Sequence, residues 1–275
     1  MNPLLDNYLR LVIGHRGNAA HAPENTLESF TQAIALGADA IEFDVQLSGD
    51  GFPVVHHDPA LGRTSDGSGL VASKSLTQLS AFDAGAHFTR DGGETYPYAG
   101  KGHRIPRFEE VLTGFTSTPL LIEIKTAVAA PAVRKAIESA GAEDRCLVDS
   151  YSSEAMAVFE GSRIPVGATR ADVIRLMREV LSGRRVTPPK FSALCIPLSY
   201  YGLPIPARRF ARLAPTQNFV VHVWTIDNPA LAVNLWEAGV SGIVTNDPAA
   251  MIAARNAVSA KPVSRNEGGI TGARA

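Results

Sequence analysis

Ala40-Ile41-Glu42-Phe43-Asp44-Val45 is the stretch on which the fold turns. Read as a strand, its two carboxylates are spaced by two and point the same way. At an effective dielectric near 20, two like charges about 4 Å apart repel by roughly 4 kcal/mol. A partly buried strand keeps such a pair only beside a cation or with a shared proton. A third carboxylate, Glu123, sits in a second apolar run, Pro119-Leu120-Leu121-Ile122-Glu123-Ile124-Lys125. Any one of the three alone reads as a solvated acid on an edge strand. Three at strand ends suggest a hard divalent metal bound through oxygen.

Outward from those two runs, short aliphatic stretches alternate with longer amphipathic segments, the pattern of successive βα units and a parallel sheet. Eight candidate strands are expected: Leu11 to His15, Ala40 to Val45, Leu120 to Lys125, Cys146 to Ser150, Val166 to Thr169, Ala193 to Ile196, Phe219 to Trp224 and Gly242 to Thr245. Eight favours a closed (β/α)8 barrel over an open sheet. After Pro23, the residues Leu27, Phe30 and Ile34 fall on one helical face, and Gly37 offers a left-handed stop. Pro229 and Pro248 follow Asn228 and Asp247, the arrangement of a cap and a first-turn proline.

One region breaks the rhythm. From about 60 to 105 the chain is rich in Gly, Ser and Asp and is too long for an ordinary connection. It follows the second strand, so in a barrel it lies over the carboxyl-end mouth, where active sites form. Phe88, Tyr96, Tyr98, His87 and His103 either line such a cap or pin it to the barrel, and packing is favoured. The expected organisation is one catalytic barrel over 1–258, with this insertion, followed by a polar, fraying tail over 259–275.

Composition bounds the function. The 275 residues are 45% hydrophobic and 19% charged, with a formal net charge of -1, which is globular and gives no basic footprint for nucleic acid. Cys146 and Cys195 each lie in an apolar run and read as buried free thiols. No stretch approaches the roughly 18 consecutive apolar residues of a membrane span. The N-terminal residues lack the charged and apolar regions of a secretory leader. The expectation is a cytoplasmic protein without stable membrane association; the chain gives no sign of its oligomeric state.

Gly14-His15-Arg16-Gly17 ends the first strand. Flanking glycines let the backbone approach a ligand, and Arg16 offers a planar guanidinium for phosphate oxygens; a tight turn with a surface arginine is the alternative. His56-His57-Asp58 ends a second short run. A second histidine at the same mouth supplies one acid and one base for hydrolysis or transesterification. His57 is assigned to chemistry and His56, facing the other way, to structure. Lys125 shares a face with Glu123 and can clamp phosphate, form a Schiff base or pair with the carboxylate; a neighbouring metal favours the phosphate role. Trp224 is either an apolar wall for the substrate or barrel packing. Tyr200 and Tyr201 are weaker candidates for the rim.

These motifs, in this order, resemble the glycerophosphodiester phosphodiesterase family. The matching stretches are Gly14-His15-Arg16-Gly17, Pro23-Glu24-Asn25-Thr26, Gly37 through Val45, Asp50 through Asp58, Ile105-Pro106, Glu123-Ile124-Lys125, Val223-Trp224-Thr225 and Thr245-Asn246-Asp247-Pro248. The resemblance spans about Leu11 to Ile252. It implies a TIM barrel with the long segment after strand two as an insertion, a divalent metal on Glu42, Asp44 and Glu123, and His15 and His57 as the acid/base pair. It further implies phosphate contacts from Arg16 and Lys125 and a small glycerophosphodiester as substrate. Mg²⁺ is favoured, with Ca²⁺ the alternative. Arg107-Phe108 follows Ile-Pro where the family usually has Thr-Leu, Asp227 replaces a frequent Asn, and Leu61-Gly62-Arg63-Thr64 is a loose match to Leu-Asp-Arg-Thr. These departures bear on substrate choice more than on activity. Rival readings are a lysophospholipase D-type enzyme for acylated substrates, a Schiff-base aldolase built on Lys125, and a non-enzymatic phosphate-binding barrel.

Overall fold

A computed structural model describes residues 2–259. In chain order the elements are β1 (Leu11–His15), α1 (Leu27–Ala35), β2 (Ala40–Leu47), β3 (Pro53–Val55), α2 (Leu76–Leu79), α3 (Phe108–Gly114), β4 (Leu120–Ile124), α4 (Ala130–Ser139), β5 (Cys146–Asp149) and α5 (Ser153–Ala157). They continue with α6 (Arg170–Leu181), β6 (Ala193–Pro197), β7 (Ser199–Tyr200), β8 (Leu203–Pro204), α7 (Ala207–Gln217), β9 (Val220–Trp224), α8 (Pro229–Glu237), β10 (Gly242–Thr245) and α9 (Pro248–Ser259). Seven parallel strands run in the order β5-β4-β2-β1-β10-β9-β6. The expected fold class, a TIM barrel with an insertion after the second strand, stands.

The eighth stave is thinner than the sequence suggests. Val166 bridges Val148 of β5, and Gly167 bridges Ala193 of β6, both in parallel, and these two bridges close the cylinder. Two local causes cut this strand short. Thr169 is already the N-cap of α6, its hydroxyl accepting from Asp172 N–H while the Asp172 carboxylate accepts from Thr169 N–H. Gly167 also faces the Asp149 side chain, leaving no room for a Cβ.

Alternation along β2 sorts its residues. Ile41, Phe43 and Val45 pack outward with Phe30 of α1 and Phe108 of α3, while Ala40 joins the barrel interior with Leu11, Ile13 and Leu121. The Phe30–Phe43 and Phe43–Phe108 ring centroids lie 5.5 and 6.0 Å apart. The departure at Phe108 is thereby a packing choice on the outer layer. Glu42 and Asp44 consequently face inward at the carboxyl ends of the strands. The β4 register sets Asp44 opposite Glu123, and β1 sets His15 opposite Glu42.

The helices carry their caps locally. Thr26 accepts from Ser29 N–H at the start of α1, and Asn228 accepts from Leu231 N–H ahead of Pro229 in α8. α9 runs to Ser259; the rest of the stretch expected to fray, 260–275, lies outside the described residues.

The insertion packs its Leu61, Val71, Leu76, Leu79, Ala84 and Ile105 into one apolar cluster with Val54 of β3. Tyr98 ties it to the barrel: its ring packs between Phe88 and His103 within the insertion, and its hydroxyl donates to His21 O at 3.2 Å and accepts from Gln32 Nε2 of α1 at 2.9 Å. Tyr96 is exposed, and His87 lies 3.2 Å from Gly62 O.

The amino end of the barrel is plugged by residues 2–5. Leu4 is fully buried, Asn2 Nδ2 donates to Cys146 O at 3.0 Å, and the Leu4 carbonyl lies 2.9 Å from His222 Nε2. His222 is wholly enclosed, its Nδ1 has no partner among the described residues, and burial pushes its imidazole down to about 4 from the ordinary 6.5. The unfolded chain therefore takes up a proton below pH 6.5 that the folded chain refuses until about pH 4. Acidification through that window should cost the wild type about 3 kcal/mol at this one site. Urea titrations at pH 7 and pH 4 check this, because the drop in unfolding free energy should shrink by that amount in His222→Gln, whose amide still reaches Leu4 O.

Candidate active site

A cavity of about 280 Å³ opens at the carboxyl ends of the strands, and His15, Arg16, Glu42, His57, Glu123, Lys125 and Trp224 all line it. Asp44, the remaining expected residue, lies behind them with its side chain 1% exposed. Carboxylate oxygens of Glu42, Asp44 and Glu123 come within 4.8 Å of one another. The set is all oxygen and anionic, which suits a hard divalent cation.

Two cations offset part of that charge. Arg16 Nε lies 3.1 Å from Asp44 Oδ2, and Lys125 Nζ lies 2.8 Å from Glu123 Oε1 and 3.3 Å from Asp44 Oδ1. Glu42 is left worst placed. Burial, then Asp44 and Glu123, push its carboxyl well above the ordinary range, although Arg16 N–H donates to its Oε2 at 3.0 Å. An added dication would relieve what Arg16 and Lys125 leave uncompensated.

Lys125 is a poor Schiff-base nucleophile. Burial alone would lower its affinity for the proton, but Glu123 and Asp44 outweigh burial and raise it. The aldolase rival needs the opposite shift.

The β1 turn explains how Arg16 reaches both Glu42 and Asp44. Arg16 and Asn25 have left-handed φ of 51° and 58°, unusual for residues with a Cβ, and each such position costs about 1 to 3 kcal/mol. Asn25 Nδ2 donates to Asp44 Oδ2 at 2.9 Å, and Asn25 N–H donates to Arg16 O at 3.1 Å. Gly17, at φ 89°, packs directly on Ser29 of α1, where a side chain would collide with backbone.

Each histidine is held by its Nδ1. His15 Nδ1 meets Asn246 Oδ1 at 2.7 Å, and its Nε2 lies 4.0 Å from Glu42 Oε2. Burial, followed by the Arg16 charge, lowers the proton affinity of His15. His57 Nδ1 meets Asp58 Oδ1 at 2.6 Å. His56 is buried, with its Nε2 3.2 Å from Ala60 O, away from the cavity.

Sequence reasoning missed the supports. Asp58 Oδ2 pairs with Arg63 Nε, and Arg63 grips Glu24 through two bonds at 2.7 and 2.8 Å. Glu24 also accepts from Arg16 Nη1 at 2.7 Å. Burial opposes the ionised forms of Glu24 and Asp58, but the Arg63 bonds prevail and hold both carboxyls down to about 2. A continuous row, His57–Asp58–Arg63–Glu24–Arg16–Asp44, thus joins the insertion to the acidic cluster. Its signals in the sequence are the Pro23-Glu24-Asn25-Thr26 and Leu61-Gly62-Arg63-Thr64 runs, whose charged members pair with each other. Asp149 also lines the cavity, and burial, then Glu123, push its carboxyl well above the ordinary range. Its Oδ1 has no hydrogen-bond partner among the described residues.

Trp224 and Tyr151 both line the cavity, with ring centroids 6.3 Å apart, and Tyr200 continues the row 6.4 Å beyond Tyr151. Tyr201 is 89% exposed.

Residues 15–250 match the glycerophosphoryl diester phosphodiesterase family. A glycerophosphodiester phosphodiesterase of Caldanaerobacter subterraneus subsp. tengcongensis is 31% identical over 252 residues, covering 88% of this chain and 96% of that protein. A solved structure of an Oleispira antarctica phosphodiesterase in complex with the product sn-glycerol-3-phosphate superposes with a TM-score of 0.73 at 26% identity, over 90% of this chain and 98% of the other. The glycerophosphoryl diester phosphodiesterase domain of a Mycobacterium tuberculosis protein superposes at 0.79 with 21% identity, over 90% of this chain and 98% of that domain, a likeness of fold. On the match across the barrel and on that relative, the chain belongs to the glycerophosphoryl diester phosphodiesterase family, whose members are phosphoric diester hydrolases.

Proposed function

We propose that the protein hydrolyses small glycerophosphodiesters to glycerol 3-phosphate and an alcohol, with His15 and His57 as the acid/base pair. The observation that carries this reading is one cavity lined by both imidazoles, each bonded through Nδ1, together with Arg16, Lys125 and acids of the three-carboxylate cluster. A bond at Nδ1 leaves Nε2 of each ring free for proton transfer.

Glu42, Asp44 and Glu123 would hold a divalent ion, Mg²⁺ in preference to Ca²⁺. When bound, such an ion neutralises the carboxylates and polarises phosphoryl oxygens. Arg16 and Lys125 attract and orient the anionic diester. Lys125 spends two of its three donors on Glu123 and Asp44, leaving one for a phosphate oxygen. One imidazole takes the proton of the attacking hydroxyl, from water or from the substrate's glycerol, and the other returns a proton to the leaving alcohol. Trp224 forms an apolar wall for the alcohol or glycerol carbons.

Among the described residues no helix is long and apolar enough to cross a membrane. Cytoplasmic placement belongs to the same reading, and the two free, buried thiols, Cys146 and Cys195, accord with it.

The test is turnover of glycerophosphocholine, glycerophosphoethanolamine and a lysophospholipid with added Mg²⁺ or Ca²⁺. Release of glycerol 3-phosphate from the first two, with the lysophospholipid turned over at least about tenfold more slowly, is expected. No hydrolysis of any diester would overturn the reading. Preference for the lysophospholipid would move the substrate class to acylated diesters.

A further inference from the structure

We propose that Asp227 is a positioning residue that sets the orientation of the Asn246 amide and, through it, the tautomer of His15. The inference rests on the assignment of His15 to the acid/base pair and asks what aims its lone pair.

An ionised carboxylate can only accept hydrogen bonds. Asp227 Oδ2 accepts from Asn246 Nδ2 at 2.7 Å, and its Oδ1 accepts from the Asn246 main-chain N–H at 2.8 Å and the Thr245 hydroxyl at 2.9 Å. The amide nitrogen of Asn246 must therefore face Asp227. Its Oδ1 then faces His15 Nδ1 at 2.7 Å and accepts, which requires the proton on Nδ1. In a neutral imidazole the lone pair is then on Nε2, the nitrogen 4.0 Å from Glu42 Oε2.

Asn246 could not make this choice unaided. An amide has nearly the same shape after a half-turn about its final bond, and a flipped Asn246 would offer N–H to His15 and put the lone pair on the wrong nitrogen. Asp227 removes the ambiguity.

The bland alternative is that Asp227 merely ties down the turn ahead of α9 through Thr245 and the Asn246 N–H. Asp227→Asn separates the two roles. Its Oδ1 can still accept both turn bonds, but its amide N–H₂ then opposes the amide N–H₂ of Asn246. Two donors cannot pair, so Asn246 turns over and the His15 proton moves to Nε2. The exchanged pair, Asp227→Asn with Asn246→Asp, restores every bond. The amide introduced at position 227 donates to the carboxylate introduced at position 246, and that carboxylate accepts from His15 Nδ1–H.

The experiment is ¹⁵N NMR of the imidazole nitrogens in the full chain, at a pH where His15 is neutral, with steady-state kinetics on glycerophosphocholine. Wild type and the exchanged pair should show His15 protonated at Nδ1, and Asp227→Asn should show it protonated at Nε2. In a serine-protease triad a wrong tautomer lowers kcat by about 10⁴. Because Asn246 can turn back, Asp227→Asn should lower kcat by roughly 10- to 100-fold, with KM within about twofold and kcat recovered in the exchanged pair. An unchanged His15 spectrum and kcat in Asp227→Asn would overturn the proposal, as would an exchanged pair as impaired as the single variant. The spectrum does not need turnover, so it decides this question even if the phosphodiesterase reading fails.

Discussion

His57→Ala should lower kcat for glycerophosphocholine by on the order of 10² to 10⁴, the usual contribution of a general acid or base, with a small change in KM. The loss should be chemical and not structural. The His57 side chain is 30% exposed, and its partner Asp58 keeps its pairing to Arg63 when the imidazole is gone, so no buried charge is orphaned. A thermal melt should shift little. His15→Ala should lose rate to a similar extent. The double variant should fall well short of the product of the two losses, because both groups serve one proton inventory. Steady-state kinetics with melting curves checks all three, and a kcat for His57→Ala within about threefold of wild type would remove it from the acid/base pair.

Stripping divalent ions with excess EDTA should abolish turnover, and added Mg²⁺ should restore it. Retained activity in the chelator would remove the ion from the mechanism. Glu42→Gln gives an independent reading of the same cluster. Its side chain is 7% exposed and faces two other carboxylates, so the ion-free wild type holds a buried charge at a loss. A neutral amide of the same shape can still accept from the Arg16 N–H. The ion-free variant should therefore melt higher than ion-free wild type, by about 2 to 4 °C for each kcal/mol relieved. It should gain less from added Mg²⁺ and turn over poorly. A lower ion-free melting temperature in Glu42→Gln would show that the repulsion is already offset without a metal.

The parts of this molecule legible from the sequence are those governed by alternation. Glu42, Asp44, Glu123 and Lys125 could be put on one face because strand geometry fixes it, and the apolar residues between them could belong only to the helix-facing side. The eighth strand was over-read. Val166 to Thr169 has strand composition, but Thr169 and Asp172 spend their polar groups starting α6, and local capping defeats extension. The supports of the two histidines were illegible for another reason. Asn246 is 231 residues from His15, and Arg63 is 39 residues from Glu24. Such polar pairings carry no periodicity, so only the folded chain says which guanidinium meets which carboxylate. His57 and Asp58 are adjacent, and that pairing alone was open to a reader of the sequence.

The arm that leaves the barrel after β3 does more than pack against the barrel. Through Arg63 it supplies the guanidinium shared by Asp58 and Glu24, and so sets how firmly both His57 and Arg16 are aimed. Transplanting this arm from one homologue to another would carry that guanidinium with it or lose it. Here a graft that fits the scaffold perfectly but lacks a guanidinium at position 63 would leave two acids unbalanced and both tools loose in their mounts.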